Sequence, residues 1–144
     1  MVRALIIYDT LTGHTRSIAE KIKKRMEEIG MNVDLFRDKK FNAFASVREY
    51  QVIAIGSPCH GGRAARTLTR KINPIITMDL KGKKLVTFAS CLDAKEQQWV
   101  CDEIESILKP TGITPVTSIG CVGKPPKDFD SAVEAAIQEE MFKF

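Results

Sequence analysis

Several features are missing from this sequence, and each absence narrows what the protein can be. No apolar run approaches the ~20 residues that a membrane span needs, so no membrane association is expected. The N-terminus carries one Arg and then a short strand-like run, too short for the apolar core of a signal peptide; a cytoplasmic protein is expected. Four cysteines (Cys59, Cys91, Cys101 and Cys121) are too few and too scattered for a disulfide framework. They include no Cys-x-x-Cys spacing for a metal, so no metal site is expected. Charge of one sign is not massed anywhere. The net charge of +4 comes from Lys and Glu interleaved along the same segments, which permits an acidic partner without pointing to nucleic acid. There is no internal repeat, linker or low-complexity segment, so residues 1–144 read as one domain, large enough to bury its own core.

What is present organises around the stretch from Leu5 to Thr15. An apolar run (Leu5-Ile6-Ile7-Tyr8) meets a short Thr/Gly segment (Thr10-Leu11-Thr12-Gly13-His14-Thr15) that leads into an amphipathic helix. Backbone N–H groups, hydroxyls and the positive end of a helix dipole then converge on one place, which suits the phosphate of a mononucleotide. The competing reading is a polar turn with Thr as helix N-cap, but three threonines around one glycine exceed what a cap requires.

Taken in order, Ala4–Tyr8 reads as a strand buried on both faces. Ile18, Ile22, Met26 and Ile29 fall at helical spacing, with Gly30 as the stop. Asn32–Phe36 reads as a more exposed strand, and residues 37–50 as a loop with a short helix embedding Phe41, Phe44 and Val47. Gln51–Gly56 is a third strand, Ser57–Arg63 a glycine-rich loop, and Ala64–Ile72 a helix ended by Pro74. Lys84–Ala89, a helix over 94–108, Thr114–Cys121 and a helix over 129–141, with Asp128 or Asp130 as a possible cap, complete the chain. Strands alternating with helices imply right-handed βαβ units and a doubly wound parallel α/β sheet. Ligands in such sheets sit beyond the carboxyl ends of the strands, where the loops 9–15, 57–63 and 90–95 should meet.

Two other chemistries of this architecture fit poorly. A receiver domain would need a phosphorylatable Asp where Ser57 stands. A phosphatase would need Cys-x5-Arg, but six residues separate Cys59 from Arg66.

Along nearly its whole length the chain resembles the flavodoxin family. The resemblance is carried by Thr10-Leu11-Thr12-Gly13-His14-Thr15 as the phosphate loop and by Gly56-Ser57-Pro58 after the third strand. Leu80-Lys81-Gly82-Lys83-Lys84, followed by Phe88, resembles the lead-in to the fourth strand. It implies a three-layer sandwich around a five-stranded parallel sheet in the order 2-1-3-4-5, and non-covalently bound FMN. Thr10, Leu11, Thr12, Gly13, His14 and Thr15 would hold the phosphate. Ser57, Pro58, Cys59, His60, Gly61 and Gly62 would line the flavin ring, and Ser90, Cys91, Leu92 and Asp93 would form the third loop. A peptide of the 57–62 loop would reorient towards the reduced flavin, which the Gly61-Gly62 pair permits. His60 would either lie against the ring or be solvated.

Two departures from the family pattern matter. The tyrosine that flavodoxins place over the outer ring face falls at Gln97, and Trp99 points elsewhere. Stacking is worth about 1–3 kcal/mol in a related setting, so FMN affinity would fall roughly ten- to a hundredfold. The chain is also basic where typical flavodoxins are acidic. The expected function is electron transfer between redox partner proteins, by a monomer or homodimer with no catalytic residue of its own. The alternatives are a flavodoxin-like module with weak or lost FMN binding, and an NAD(P)H-dependent FMN reductase acting on a quinone or other small acceptor. Cys59, Cys91 and Cys121 end neighbouring strands, close enough for a disulfide, which admits a redox-active thiol pair at the flavin or a small metal site; the reading favoured here is three unrelated buried thiols, with Cys101 in the core.

Overall fold

A computed structural model describes residues 1–42 and 44–144, without the side chains of residues 44 and 45. The expected burial of Phe44 therefore lies outside the described residues. The elements are β1 (Arg3–Tyr8), α1 (His14–Glu28), β2 (Asn32–Arg37), β3 (Val52–His60), β4 (Arg63–Ala64), α2 (Arg66–Ile72), β5 (Lys84–Cys91), α3 (Ala94–Leu108), β6 (Thr114–Val122) and α4 (Phe129–Ala136). Short 3-10 segments occupy Asp38–Lys40, Phe44–Glu49, Asn73–Thr77, Lys109–Thr111 and Glu139–Phe142.

Five parallel strands lie in the order β2-β1-β3-β5-β6, and the two-residue β4 pairs antiparallel with the end of β3. Counting only the parallel strands, this is the expected 2-1-3-4-5 order. The apolar runs of β1, β3 and β5 place them at the centre, buried on both faces, while β2 and β6 form the mixed edges. Pro115 sits on the β6 edge beside a register shift opposite Leu85 and Val86, where a missing N–H is tolerated.

Two apolar layers hold the sheet between its helices. Ile18, Ile22 and Met26 of α1 and Phe129 and Val133 of α4 pack on Ile6, Ala54, Val86 and Phe88. Leu68 and Ile72 of α2 and Val100, Ile104 and Leu108 of α3 pack on Leu5, Ile55, Leu85 and Ala89. Full burial of one such side chain stabilises by about 1.5–3 kcal/mol, so these stripes fix which face each helix presents.

The structure corrects three expected boundaries. Ser57–His60 is strand rather than loop, because β3 keeps pairing with β5 as far as Pro58 opposite Ser90 and then folds back onto β4. Helix α2 consequently starts at Arg66 rather than Ala64. Helix α4 stops at Ala136, where Ile137 turns to an extended conformation. Neither Asp128 nor Asp130 caps it: Asp128 occupies the cap position without a side-chain bond, and Asp130 pairs with Lys21 at 2.9 Å.

Candidate functional site

The carboxyl ends of β1, β3, β5 and β6 meet at a cleft of about 180 Å³, lined by Leu11, Thr12, His14, Pro58, Cys59, His60, Ser90, Cys91, Leu92 and Gly123. That is smaller than the 300–1,000 Å³ typical of enclosed ligand pockets, so a ligand seated here stays partly exposed. The loops 9–15, 57–63 and 90–95 converge as expected, and nine of the ten lining residues lie in them. The tenth, Gly123, was missed. Its signal was available, since β6 must end at the same rim, where the Gly123 N–H donates to the Cys91 carbonyl at 2.9 Å.

The first loop is built as an open helix N-terminus. Gly13 is the N-cap of α1, with φ 90° and ψ −4°, a left-handed conformation that glycine adopts without strain. No side chain caps the helix and no acidic residue occupies its first turn. The Thr-as-N-cap reading therefore does not hold. Thr10 instead accepts a bond from the Gly13 N–H at 3.0 Å, and Arg37 Nη2 donates to the Thr10 carbonyl at 3.1 Å, bracing the loop from behind. The Thr15 and Ser90 hydroxyls are buried and 2.8 Å apart, tying the start of α1 to the end of β5. Unlike Thr12, which lines the cleft, Thr15 presents its hydroxyl inward.

Beneath this loop lies a buried acidic pair. Thr67 Oγ1 donates to Asp9 Oδ2 at 3.2 Å, and the Lys39 N–H donates to Asp38 Oδ1 at 2.8 Å. Asp38 Oδ2 is buried without a partner among the described residues. Burial, and then the Asp9 charge, raise the Asp38 carboxyl above its ordinary value.

The second loop is a tight hairpin. Gly61 and Gly62, with φ 59° and 79°, turn the chain between β3 and β4. Inside the hairpin, the Ser57 hydroxyl is buried, donates to the Pro58 carbonyl at 2.7 Å and accepts from the Ala65 N–H at 2.8 Å. Glu103 of α3 holds the outside, accepting from Arg63 Nε at 3.0 Å, Arg63 Nη2 at 3.3 Å and the Ala64 N–H at 2.9 Å. Burial opposes the Glu103 charge, but the Arg63 and Ala64 hydrogen bonds and the Arg63 charge outweigh it and hold the carboxyl below its ordinary value. Trp99 also reaches this hairpin: a Cβ on Gly62 would lie 3.0 Å from the Trp99 ring. Gln97 lies instead over β6, where a Cβ on Gly120 would come within van der Waals conflict of its amide. Neither side chain lines the cleft.

In the third loop, Leu92 is 90% exposed and faces Leu11, 77% exposed, across the cleft rim. The Asp93 carboxylate is engaged as the N-cap of α3, accepting from the Lys95 N–H at 2.9 Å.

The cysteines correct the reading of unrelated thiols. Cys59 and Cys91 continue the β3–β5 pairing beyond Pro58 and Ser90 and are joined by a disulfide, with Cα atoms 5.0 Å apart. Cys121 stays a thiol because it pairs in register with Ser90, one residue earlier, and so points to the opposite face of the sheet. Cys101 is a core thiol as expected, pushed up to about 11 by burial. Among the described residues, Glu96 is the other metal-ligating group near the bridge, its carboxylate within 4.8 Å of both sulfurs.

An uncapped helix N-terminus that opens onto a cleft with an apolar rim suits a ligand with a phosphate at one end and a flat ring at the other. Comparison with known proteins agrees with that geometry. No curated protein sequence matches the chain significantly. Among solved structures, a flavodoxin from the domain Archaea superposes with a TM-score of 0.82 at 17% identity, over 93% of this chain and 92% of that one. Oxidised flavodoxin 1 from Bacillus cereus gives 0.80 at 18% identity, over 91% of each chain. The Fusobacterium nucleatum flavodoxin bound to flavin mononucleotide gives 0.69 at 16% identity, over 81% of this chain and 70% of that one. At these identities the superpositions speak for the fold. The sequence pattern of the flavodoxin domain matches residues 5–121, most of the chain and all three loops of the cleft, and the protein belongs to the flavodoxin domain family.

Proposed function

We propose that this protein binds FMN, the cofactor of its family, in the cleft and carries electrons between redox partner proteins. The observation that carries the reading is the N-terminus of α1, which has neither a side-chain cap nor an acidic first-turn residue and adjoins a cleft rimmed by Leu11 and Leu92. The residues fit the cofactor in two ways. Main-chain N–H groups of His14 and Thr15 and the Thr10 and Thr12 hydroxyls offer donors to a dianionic phosphate without a cation. Leu11 and Leu92 are large apolar side chains left in water, and a flat ring between them would remove that surface from solvent.

Bound FMN supplies one- and two-electron redox chemistry; the chain binds and orients it. Pro58 and Cys59, which line the cleft, would hold the ring side, the exposed His60 would stand at its rim, and Gly61-Gly62 would give the hairpin peptide freedom to reorient. No side chain of the protein acts as a catalytic acid or base in this reading. A net charge of +4 favours an acidic redox partner. A cytoplasmic setting fits as well, and none of the described helices is long and apolar enough to cross a membrane.

A second reading has one observation in its favour. Gln97 lies on Gly120 and Trp99 on Gly62, and among the described residues no Phe, Tyr or Trp side chain lines the cleft. A second flat substrate would have room to stack there, as in an NAD(P)H-dependent reductase.

The deciding experiment is the visible spectrum of freshly purified protein, followed by FMN titration with flavin fluorescence as the readout. Flavin absorbance and quenched emission are expected. Emission unchanged at micromolar protein would refute FMN binding. Steady oxidation of NADH or NADPH by the loaded protein would favour the reductase over the carrier.

A further inference from the structure

The Cys59–Cys91 bridge lies in the wall of the cleft, and both residues line it. Cys91 is buried, at 5% exposure, while Cys59 is half-buried on the cleft side of the hairpin. The remaining cysteines, Cys101 and Cys121, are buried thiols with no sulfur partner. The only oxidised pair among the described residues is therefore the one that faces the proposed flavin seat. In a reducing compartment, a disulfide that persists is usually one that cycles.

We propose that Cys59–Cys91 is a second two-electron redox centre, a reversible disulfide that exchanges electrons with the flavin held in the same cleft and with a dithiol partner protein. The proposal rests on the FMN reading. In one direction fully reduced FMN gives two electrons and two protons to the bridge: the S–S bond breaks, two S–H bonds form and FMN returns to its oxidised state. Cys59, losing its proton, then attacks a partner disulfide, and Cys91, losing its own, displaces the partner's sulfur from Cys59, which re-forms the bridge and leaves a dithiol on the partner. In the other, a partner thiolate attacks the accessible Cys59 sulfur and Cys91 leaves as a thiolate that takes up a proton. The partner's second thiol then displaces Cys59, leaving a disulfide on the partner and two thiols here, which pass two electrons and two protons to oxidised FMN and re-form the bridge. The division of roles follows exposure: Cys59 can be reached from solvent, and Cys91 is the sheltered leaving group. The protein would thus interconvert electrons carried by a flavin and electrons carried by dithiols.

The test uses purified full-length protein in two stages. First, the protein is equilibrated with dithiol buffers, quenched in acid, alkylated after unfolding and weighed intact. In air only Cys101 and Cys121 should be labelled, and on reduction Cys59 and Cys91 should gain their labels together, as a single two-electron couple. Second, the FMN-loaded protein is titrated anaerobically with dithionite while flavin absorbance and alkylation are followed. Wild type should take up about four reducing equivalents per bound flavin, and the Cys59→Ser/Cys91→Ser variant about two.

Several results would overturn the proposal: thiols already free in air, a metal ion released together with both thiols, or a pair still oxidised when the bound flavin is fully reduced. If the double variant does not fold, the wild-type labelling and equivalent count decide alone. Unquenched FMN fluorescence would refute the flavin reading and this proposal together; quenched flavin that takes up only about two equivalents in wild type would refute this proposal alone.

Discussion

Replacing Gly13 with valine tests the phosphate loop at its most constrained point. Gly13 has φ 90° and ψ −4°, and nothing lies within 4 Å of where a Cβ would project. The substitution therefore meets no neighbour, and its cost lies in the backbone. An L-residue in the left-handed region costs roughly 1–2 kcal/mol, and a β-branched one is a genuine outlier there. That strain has two outlets. If the loop holds its shape, the protein loses stability, and for a chain of this size the melting temperature falls by roughly 2–8 °C. If the loop relaxes, the bond from the Gly13 N–H to Thr10 Oγ1 breaks and the first N–H groups of α1 turn away from the cleft. FMN affinity then falls about five- to thirtyfold for the same energy. Thermal melts read one outlet and FMN fluorescence quenching the other. Gly13→Asn, which tolerates this conformation, should show a clearly smaller effect in both. A Gly13→Val protein with unchanged melting temperature and unchanged FMN affinity would refute the assignment of this loop.

Two further outcomes follow from the surroundings of the cleft. The fold raises the Asp38 carboxyl, so the acid form is favoured in the native state. The associated stability is present below the ordinary value of 3.8 and is lost as pH rises through the raised value. Asp38→Asn removes this loss and should raise the melting temperature at pH 7, with the gain vanishing in acid; a difference in melting temperature that does not change with pH would show that Asp38 is not the titrating group. Gln97→Ala should leave FMN affinity within about a factor of two, because the Gln97 amide rests on Gly120 and not in the cleft; a tenfold loss in a fluorescence titration would place it over the flavin after all.

Much of this architecture is legible in the chain itself. Continuous apolar runs at β1, β3 and β5 announce a sheet buried on both faces, and the Thr/Gly segment between β1 and α1 marks the phosphate end of the cleft. What resisted reading depends on pairing between distant residues. Ser57–His60 has the composition of a loop, with Gly56 before it and Gly61-Gly62 after, yet continued pairing with β5 and then with β4 draws it into the sheet. Once β3 is known to run that far, the proximity of Cys59 and Cys91 follows from register. From the sequence alone, Cys121 is an equally good partner. A single residue of register, Cys121 opposite Ser90 rather than Cys91, turns it to the other face. Asp93 shows the reverse case: a carboxylate in the right loop for a ligand, engaged by the N-terminus of α3.

Trp99 is the chain's one tryptophan, 56% exposed and in contact with the Gly61-Gly62 turn. Indole emission from this protein therefore has a single origin, beside the hairpin that must shift if the flavin loop responds to redox state. The molecule carries its own optical gauge. The colour and intensity of that emission report the water around one turn, and an acceptor chromophore seated in the adjacent cleft would drain it.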